Sequence, residues 1–409
     1  MKVLLMNHFP LEGSGSGVYT RNLAEELVNF GNEVMVIFPE HHKIKYEKFE
    51  SMPIVFQSDQ HNTDDLVDVP FDFPCFTSHP RSVNTFYNLT DFEMTLYIDA
   101  FKKATQIAIE TFKPDIIHAQ HLWITPYVAS LFDIPYVITA HGTDLKGFVK
   151  DERYHRYALE GAEQAERVIT ISKQVDREVE TLLKVPKEKR SLILNGYNPE
   201  LFKMKTVAPK EVLGKYGIVY NDEQVVFFAG KLAHFKGVDV LLDATKLNEI
   251  ALQGNVVTVI AGNGELYETL IHQKNNLELK NTHFLGHIYQ DELVDLYNIA
   301  HVSCVPSRTE PFGLVAIEAL ACGAPVVGTN QGGLPDFITR EVGQLVPVED
   351  SVALSGAILE MLKNNSHREM ADVCHNYAEL NFSRHISIKK VEEMYQEIIM
   401  KSAQNNPKK

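Results

Sequence analysis

The chain has 409 residues, 44% hydrophobic and 23% charged, a globular mix that excludes intrinsic disorder. Its 39 Lys and Arg stand against 54 Asp and Glu, a net charge of −15. Such an acidic chain is a poor ligand for nucleic acid, and no nucleic-acid partner is expected.

At about 150 residues per domain, the length suggests two or three domains. Short apolar runs alternate with longer helical patterns. A first series reads Val3–His8, Glu33–Phe38, Asp115–His121, Tyr136–His141 and Val168–Ser172. A second reads Val225–Gly230, Val256–Gly262, His283–Gly286, Val302–Pro306 and Pro325–Thr329. Val, Ile and Phe dominate many of these runs, as in parallel strands buried on both faces. Strand–helix alternation that restarts midway predicts two doubly wound α/β domains.

The first domain is placed at residues 1–198, ending on the turn signal Asn195–Pro199. The second is placed at residues 199–385, after a polar stretch, Met204–Lys215. Ser51–Thr90 carries four prolines and several aromatics, and is expected to be an irregular insertion. Residues 386–409 read as a helix over Ile386–Met400 with one apolar stripe, then a frayed tail, Gln404–Lys409.

Cys75, Cys304, Cys322 and Cys374 fit neither a zinc ribbon nor a redox pair, so free thiols in a reducing compartment are expected. The apolar run Val3–Met6 is too short for a secretion signal. The uncharged stretch Ile116–Phe132 contains His118, Gln120, His121 and Pro126, and reads as a strand and a helix start. A cytoplasmic protein is expected.

Four loops could carry chemistry. Ser14-Gly15-Ser16-Gly17 follows the first strand and opens a helix pattern at Val18, as at an anion site. It fails the dinucleotide fingerprint, because Val18 and Thr20 stand where the last glycine is needed. Gly230–Gly237 also follows a strand, and holds Lys231 and Lys236. Glu310-Pro311-Phe312-Gly313 precedes an apolar helix containing Glu318. A carboxylate in so apolar a helix needs a partner. Gln331-Gly332-Gly333-Leu334-Pro335 is a further glycine turn after a strand. His141 ends a strand at Thr139-Ala140-His141-Gly142. With 17 histidines in the chain, most must be structural, and His118 and His121 are read so.

Taken together, these motifs resemble the retaining glycosyltransferases of family 4. The similarity rests on Glu310-Pro311-Phe312-Gly313 with Glu318, a Glu-x7-Glu motif, and on the Gly230–Gly237 loop. Ser14–Gly17, His141-Gly142-Thr143-Asp144 and Gly332-Gly333 follow in the expected order. The resemblance implies a GT-B fold: two Rossmann-like, doubly wound domains facing across a cleft, with the last helix crossing back to the first. It implies that Glu318 accepts hydrogen bonds from the donor ribose, and that Glu310 lies beside the transferred sugar. The N–H groups of Phe312, Gly313 and Leu314 would contact the sugar and diphosphate. Lys231 and Lys236 would hold the diphosphate. Gly286, His287 and Ile288 would read the base. Gly15, with Ser16 and Gly17, would approach the diphosphate from the first domain, and His141 would sit under the sugar. The catalytic set so implied is His141, Lys236 and Glu310.

Two positions depart from the family. Lys231 stands where it usually has Arg, which keeps the charge but loses the bidentate fork. Ser14-Gly15 replaces a double glycine.

Departure of a nucleoside diphosphate needs electrostatic stabilisation, which a lysine pair and helix N–H groups can supply. The sequence contains no Asp-x-Asp motif for a metal. A metal-independent mechanism without cofactor is therefore expected, with retention as the resemblance implies. His141-Gly142-Thr143-Asp144 resembles family members that use UDP-sugars, which implies a UDP-sugar donor such as UDP-N-acetylglucosamine; the expected acceptor is a small molecule or a glycan. A GDP-mannose-dependent mannosyltransferase and a nucleotide-sugar epimerase are the alternatives. The acidic balance disfavours peripheral membrane contact, against a local basic patch at Lys43–Lys48.

Overall fold

The computed structural model describes residues 1–58, 65–77, 79–363 and 366–405. The chain divides into two compact units, Met1–Ile193 with Ile388–Lys409, and Leu194–Ser387. The polar stretch Met204–Lys215 lies inside the second unit and contains the helix Pro209–Gly214.

The first unit holds a seven-stranded sheet. Its strands are β1 (Lys2–Met6), β2 (Glu33–Glu40), β3 (Glu50–Val55), β4 (Ile116–Gln120), β5 (Tyr136–Ala140), β6 (Arg167–Thr170) and β7 (Arg190–Leu192). They run parallel in the order β3-β2-β1-β4-β5-β6-β7. Val3–Met6 and every residue of β4 and β5 are buried, as a sheet covered on both faces requires. The helix Gly15–Asn29 covers part of one face with Leu23, Ala24 and Leu27. Its N-cap is Ser14, whose hydroxyl accepts from the Gly17 N–H at 3.0 Å. The helix therefore begins at Gly15, three residues before the position expected from its apolar pattern.

The segment expected to be wholly irregular corrects in part. Glu50–Val55 pairs in register with β2 as the sheet's edge strand. Pro53 is tolerated there because an edge strand can lack one donor. The segment ends by capping the helix Asp91–Thr111, where Thr90 and Glu93 form a reciprocal capping box. Residues 59–64 and 78 of it lie outside the described residues.

The second unit holds a six-stranded parallel sheet. Its strands are β8 (Gln224–Ala229), β9 (Val256–Ala261), β10 (Thr282–Gly286), β11 (Val302–Val305), β12 (Val326–Thr329) and β13 (Gly343–Val346). Their order is β10-β9-β8-β11-β12-β13. β13 did not stand out in the sequence, because Gly343 and Gln344 interrupt the apolar run.

The last helix spans Arg384–Asn405, longer at both ends than its apolar stripe suggests. Ile388, Val391, Tyr395 and Ile398 pack into the core of the first unit beside Val3, Leu5 and Leu27. Each such side chain contributes about 1.5–3 kcal/mol on burial. Tyr395 also hydrogen-bonds His118, and Glu392 accepts from Asn32 at 2.9 Å. Residues 406–409 of the expected frayed tail lie outside the described residues.

Candidate active site

In open α/β sheets, ligands bind beyond the carboxyl ends of the strands where the strand order reverses. In the second sheet that point lies between β8 and β11. The loops leaving these two strands are Gly230–Gly237 and Pro306–Gly313, and they carry Lys236 and Glu310.

The two side chains meet. Lys236 Nζ lies 2.6 Å from Glu310 Oε2, with 17% and 8% of the side chains exposed. Ser307 Oγ donates to the same carboxylate oxygen at 3.1 Å. Lys231 goes elsewhere: it is 42% exposed and lies 3.7 Å from Glu265. The lysines of one loop thus face different carboxylates, and only Lys236 is held in a largely desolvated pair.

Close backbone approach builds the frame around this pair. A Cβ on Gly237 would lie 2.0 Å from the Pro306 carbonyl oxygen, and one on Gly332 would lie 1.7 Å from that of Glu310. Both glycines have positive φ, +67° in each case. The Gly333 N–H donates to the Glu310 carbonyl at 2.9 Å, so the glycine turn after β12 seats Glu310 from below. Gly332→Ala should therefore cost at least the ~1–3 kcal/mol of a strained backbone position. It is expected to lower the melting temperature and to displace Glu310, with a fall in kcat measured alongside. Unchanged values of both would remove Gly332 from the frame.

The helix Leu314–Ala321 starts next to Glu310. Its N-cap, Gly313, has φ +107° and offers no side chain to the first N–H groups. Those donors can therefore serve a ligand. Phe312 is buried against Phe337, at 5.5 Å between ring centroids. One turn into the helix sits Glu318. Burial pushes its carboxyl up to about 7, and the Tyr297 hydroxyl partly opposes this. Gly286 ends β10, and His287 and Ile288 follow it. Gly286 has φ +74° and accepts from the Gly262 N–H at 2.7 Å, so this turn lies against the loop after β9.

The first unit has its own switch point, between β1 and β4. His141 follows β5 and is 9% exposed. Its Nε2 meets Gln120 Oε1 at 2.9 Å, and Tyr19 stands edge-on at 5.2 Å. Burial pushes its pKa down to about 3, so it is a neutral hydrogen-bonding group and not a cation at neutral pH. Asp144 accepts from the Leu122 N–H at 2.7 Å, and burial pushes it up to about 6. Gly15, Ser16 and Gly17 form the first turn of their helix. A Cβ on Gly15 would meet open space, whereas one on Gly17 would lie 2.1 Å from the Pro10 carbonyl oxygen.

Of the two histidines read as structural, His118 bonds Tyr395 and Thr139 and fits that reading. His121 is fully buried with φ +70°, and neither ring nitrogen has a hydrogen-bond partner among the described residues. Asn7 Oδ1, Gln120 Nε2 and Asp144 Oδ1 are orphaned likewise. Orphaned buried polar atoms are expensive, and their gathering at one sheet end marks it as functional ground.

The sequence reading missed two things. Gly262 and Gly264 press against the Gly230 and Leu232 carbonyl oxygens, where a Cβ would lie at 1.8 and 2.3 Å. Arg308 and Asp239 form a bidentate pair at 2.8 and 2.7 Å beneath the Lys236 turn. Arginine two residues before Glu310 was the available signal.

Comparison with known proteins decides the family. The family model for glycosyltransferase family 4 matches residues 13–201, and that for glycosyl transferases group 1 matches residues 215–380. A glycosyltransferase of Methanocaldococcus jannaschii is 30% identical over 80% of this chain and 80% of its own. This chain belongs to glycosyltransferase family 4. The transferase also resembles N-acetyl-alpha-D-glucosaminyl L-malate synthase of Bacillus anthracis, 24% identical over 65% of this chain and 68% of that one. Among solved structures, Anabaena HepE in complex with UDP and glucose superposes with a TM-score of 0.72 at 19% identity, covering 97% and 100% of the two chains. That likeness and the two parallel sheets establish a two-domain, Rossmann-like GT-B fold for the transferase. It is a nucleotide-sugar glycosyltransferase, and the epimerase alternative is not favoured. No helix among its described residues is long and apolar enough to cross a membrane.

Proposed function

We propose that the chain moves a sugar from a UDP-sugar to a hydroxyl of a small polar acceptor, with retention and without a metal or cofactor. The observation that carries this reading is the Lys236–Glu310 pair beside the uncapped helix start at Gly313. A fixed cation and free N–H groups at one point are what a departing diphosphate needs. Among the described residues, no three His, Cys, Asp or Glu side chains converge to hold a metal ion. The Bacillus anthracis relative is named for transfer of N-acetylglucosamine to malate, and the Anabaena structure holds UDP. The first supports an N-acetylglucosamine donor and a small acceptor, and the second a UDP-linked donor.

In this reading Lys236 and the N–H groups of Phe312, Gly313 and Leu314 hold the diphosphate, and Glu318 takes the ribose hydroxyls. Lys231 lies on the same loop, and its exposure allows it to swing toward the phosphates. Gly286, His287 and Ile288 read the base. The bond from the anomeric carbon to the diphosphate breaks, and its electron pair leaves with the phosphate. The acceptor oxygen bonds the anomeric carbon on the same face, and its proton passes to the departing phosphate oxygen. Neutral His141 accepts or donates one hydrogen bond to the sugar.

The test is transfer from UDP-N-acetylglucosamine after exhaustive chelation, with the anomer of the product read by NMR. Full activity and an α-linked product are expected. A large loss restored by magnesium or manganese would overturn the metal-free mechanism, and a β-linked product would overturn retention.

A further inference from the structure

We propose that Arg308 is a positioning residue that fixes Lys236 for transfer. The proposal rests on the reading of Lys236 as the diphosphate ligand.

Arg308 stands two residues from Glu310, at the place where a cation invites a phosphate role. Its donors are already taken. Nη1 reaches the His234 carbonyl at 2.7 Å and Asp239 Oδ1 at 2.8 Å. Nη2 reaches Asp239 Oδ2 at 2.7 Å, and Nε reaches Glu349 Oε1 at 2.8 Å. Four of the five N–H groups of the guanidinium are thus used by the protein itself. A fork so saturated holds structure and leaves little for a ligand.

What it holds is the turn that carries Lys236. His234–Lys236 is a single 3-10 turn, ended by Gly237 in a left-handed conformation. Asp239 lies in the first turn of the following helix, Val238–Ala251. Arg308 therefore grips the chain both before and after Lys236. Its own N–H donates to the Phe235 carbonyl at 2.8 Å, adding a backbone tie from the β11 loop. The Arg308 side chain is 14% exposed and Asp239 37%, so their bidentate pair is the better shielded of its ion pairs, while Glu349 is 62% exposed and adds less.

Lysine carries its charge on a flexible four-carbon stem. A small displacement of the reacting groups costs rate steeply. Fixing the turn at both ends limits where that stem can start. A lysine at 308 has a single nitrogen and could not reproduce the three that reach the His234 carbonyl, both Asp239 oxygens and Glu349.

The experiment is a double-mutant cycle on kcat, at saturating donor and acceptor, with Arg308→Gln and Lys236→Ala. Arg308→Gln alone is expected to lower kcat about tenfold or more while the acceptor KM stays near wild type. If Arg308 works through Lys236, the double variant is no slower than Lys236→Ala. A merely structural arginine would make the two losses multiply, and that result overturns the proposal. A near-wild-type kcat for Lys236→Ala overturns the reading beneath it as well, so the two failures are distinguishable. Should Arg308→Gln fail to fold, Asp239→Asn keeps the shape and weakens the same fork. It is expected to show a smaller loss with the same non-additivity, and losses that multiply in that variant overturn the proposal equally.

Discussion

Lys236→Ala is expected to lower kcat by ~10²–10³, with a smaller change in donor affinity. Charge grows on the diphosphate as the sugar leaves, so a contact with it strengthens in the transition state and is felt in the chemical step. The same change strands Glu310. Breaking one side of a buried ion pair costs about 3–5 kcal/mol, so the melting temperature should fall too. Both partners are largely buried, which keeps solvent from absorbing that cost. Adding Glu310→Gln to Lys236→Ala should recover the stability without recovering kcat. Lys231→Arg, at an exposed position with its charge kept, should retain substantial activity. Near-wild-type turnover by Lys236→Ala would take this loop out of the mechanism.

The second large effect concerns Glu318 and pH. Burial raises its carboxyl from 4.5 to about 7. A carboxyl raised on folding favours its protonated form in the native state. Its stabilising effect is complete below pH 4.5 and is lost as pH rises to 7. From pH 7 upward, ionised Glu318 costs about 3 kcal/mol of stability. Ribose hydroxyls bond best to the ionised form, so donor affinity should run the other way. It should rise up to tenfold per pH unit below 7 and level off above. Calorimetry with an intact nucleotide-sugar reads this cleanly, because a free nucleotide's terminal phosphate itself titrates near 6. Glu318→Gln should melt higher than wild type at pH 8, bind donor weakly, and lose the slope. A pH-independent wild-type affinity between 5.5 and 8 would exclude Glu318 from the ribose site.

Much of this was legible in the sequence because parallel strands buried on both faces are nearly continuous apolar runs. Val256–Ala261 and Tyr136–Ala140 show it plainly. Glu50–Val55 escaped notice because an edge strand needs neither two apolar faces nor every N–H, and Pro53 reads as a breaker. The site loops were visible as glycine turns after strands. Their contacts were not, since Arg308 and Asp239 lie 69 residues apart and meet only through the β8–β11 pairing. His121 was passed over for a related reason. A histidine with two orphaned ring nitrogens looks, in sequence, like any other of the 17.

The Lys236–Glu310 contact also bears on which anions the resting protein will ignore. A lone orthophosphate or chloride offered to Lys236 has to share the ammonium with a carboxylate 2.6 Å away, and brings one point of attachment with which to compete. A nucleoside diphosphate arrives with a base, a ribose and two phosphates, and can spread the exchange over several contacts. The protein thus carries its own competitor for the cation. On the proposed reading, that internal competitor would favour a whole donor over small, abundant anions.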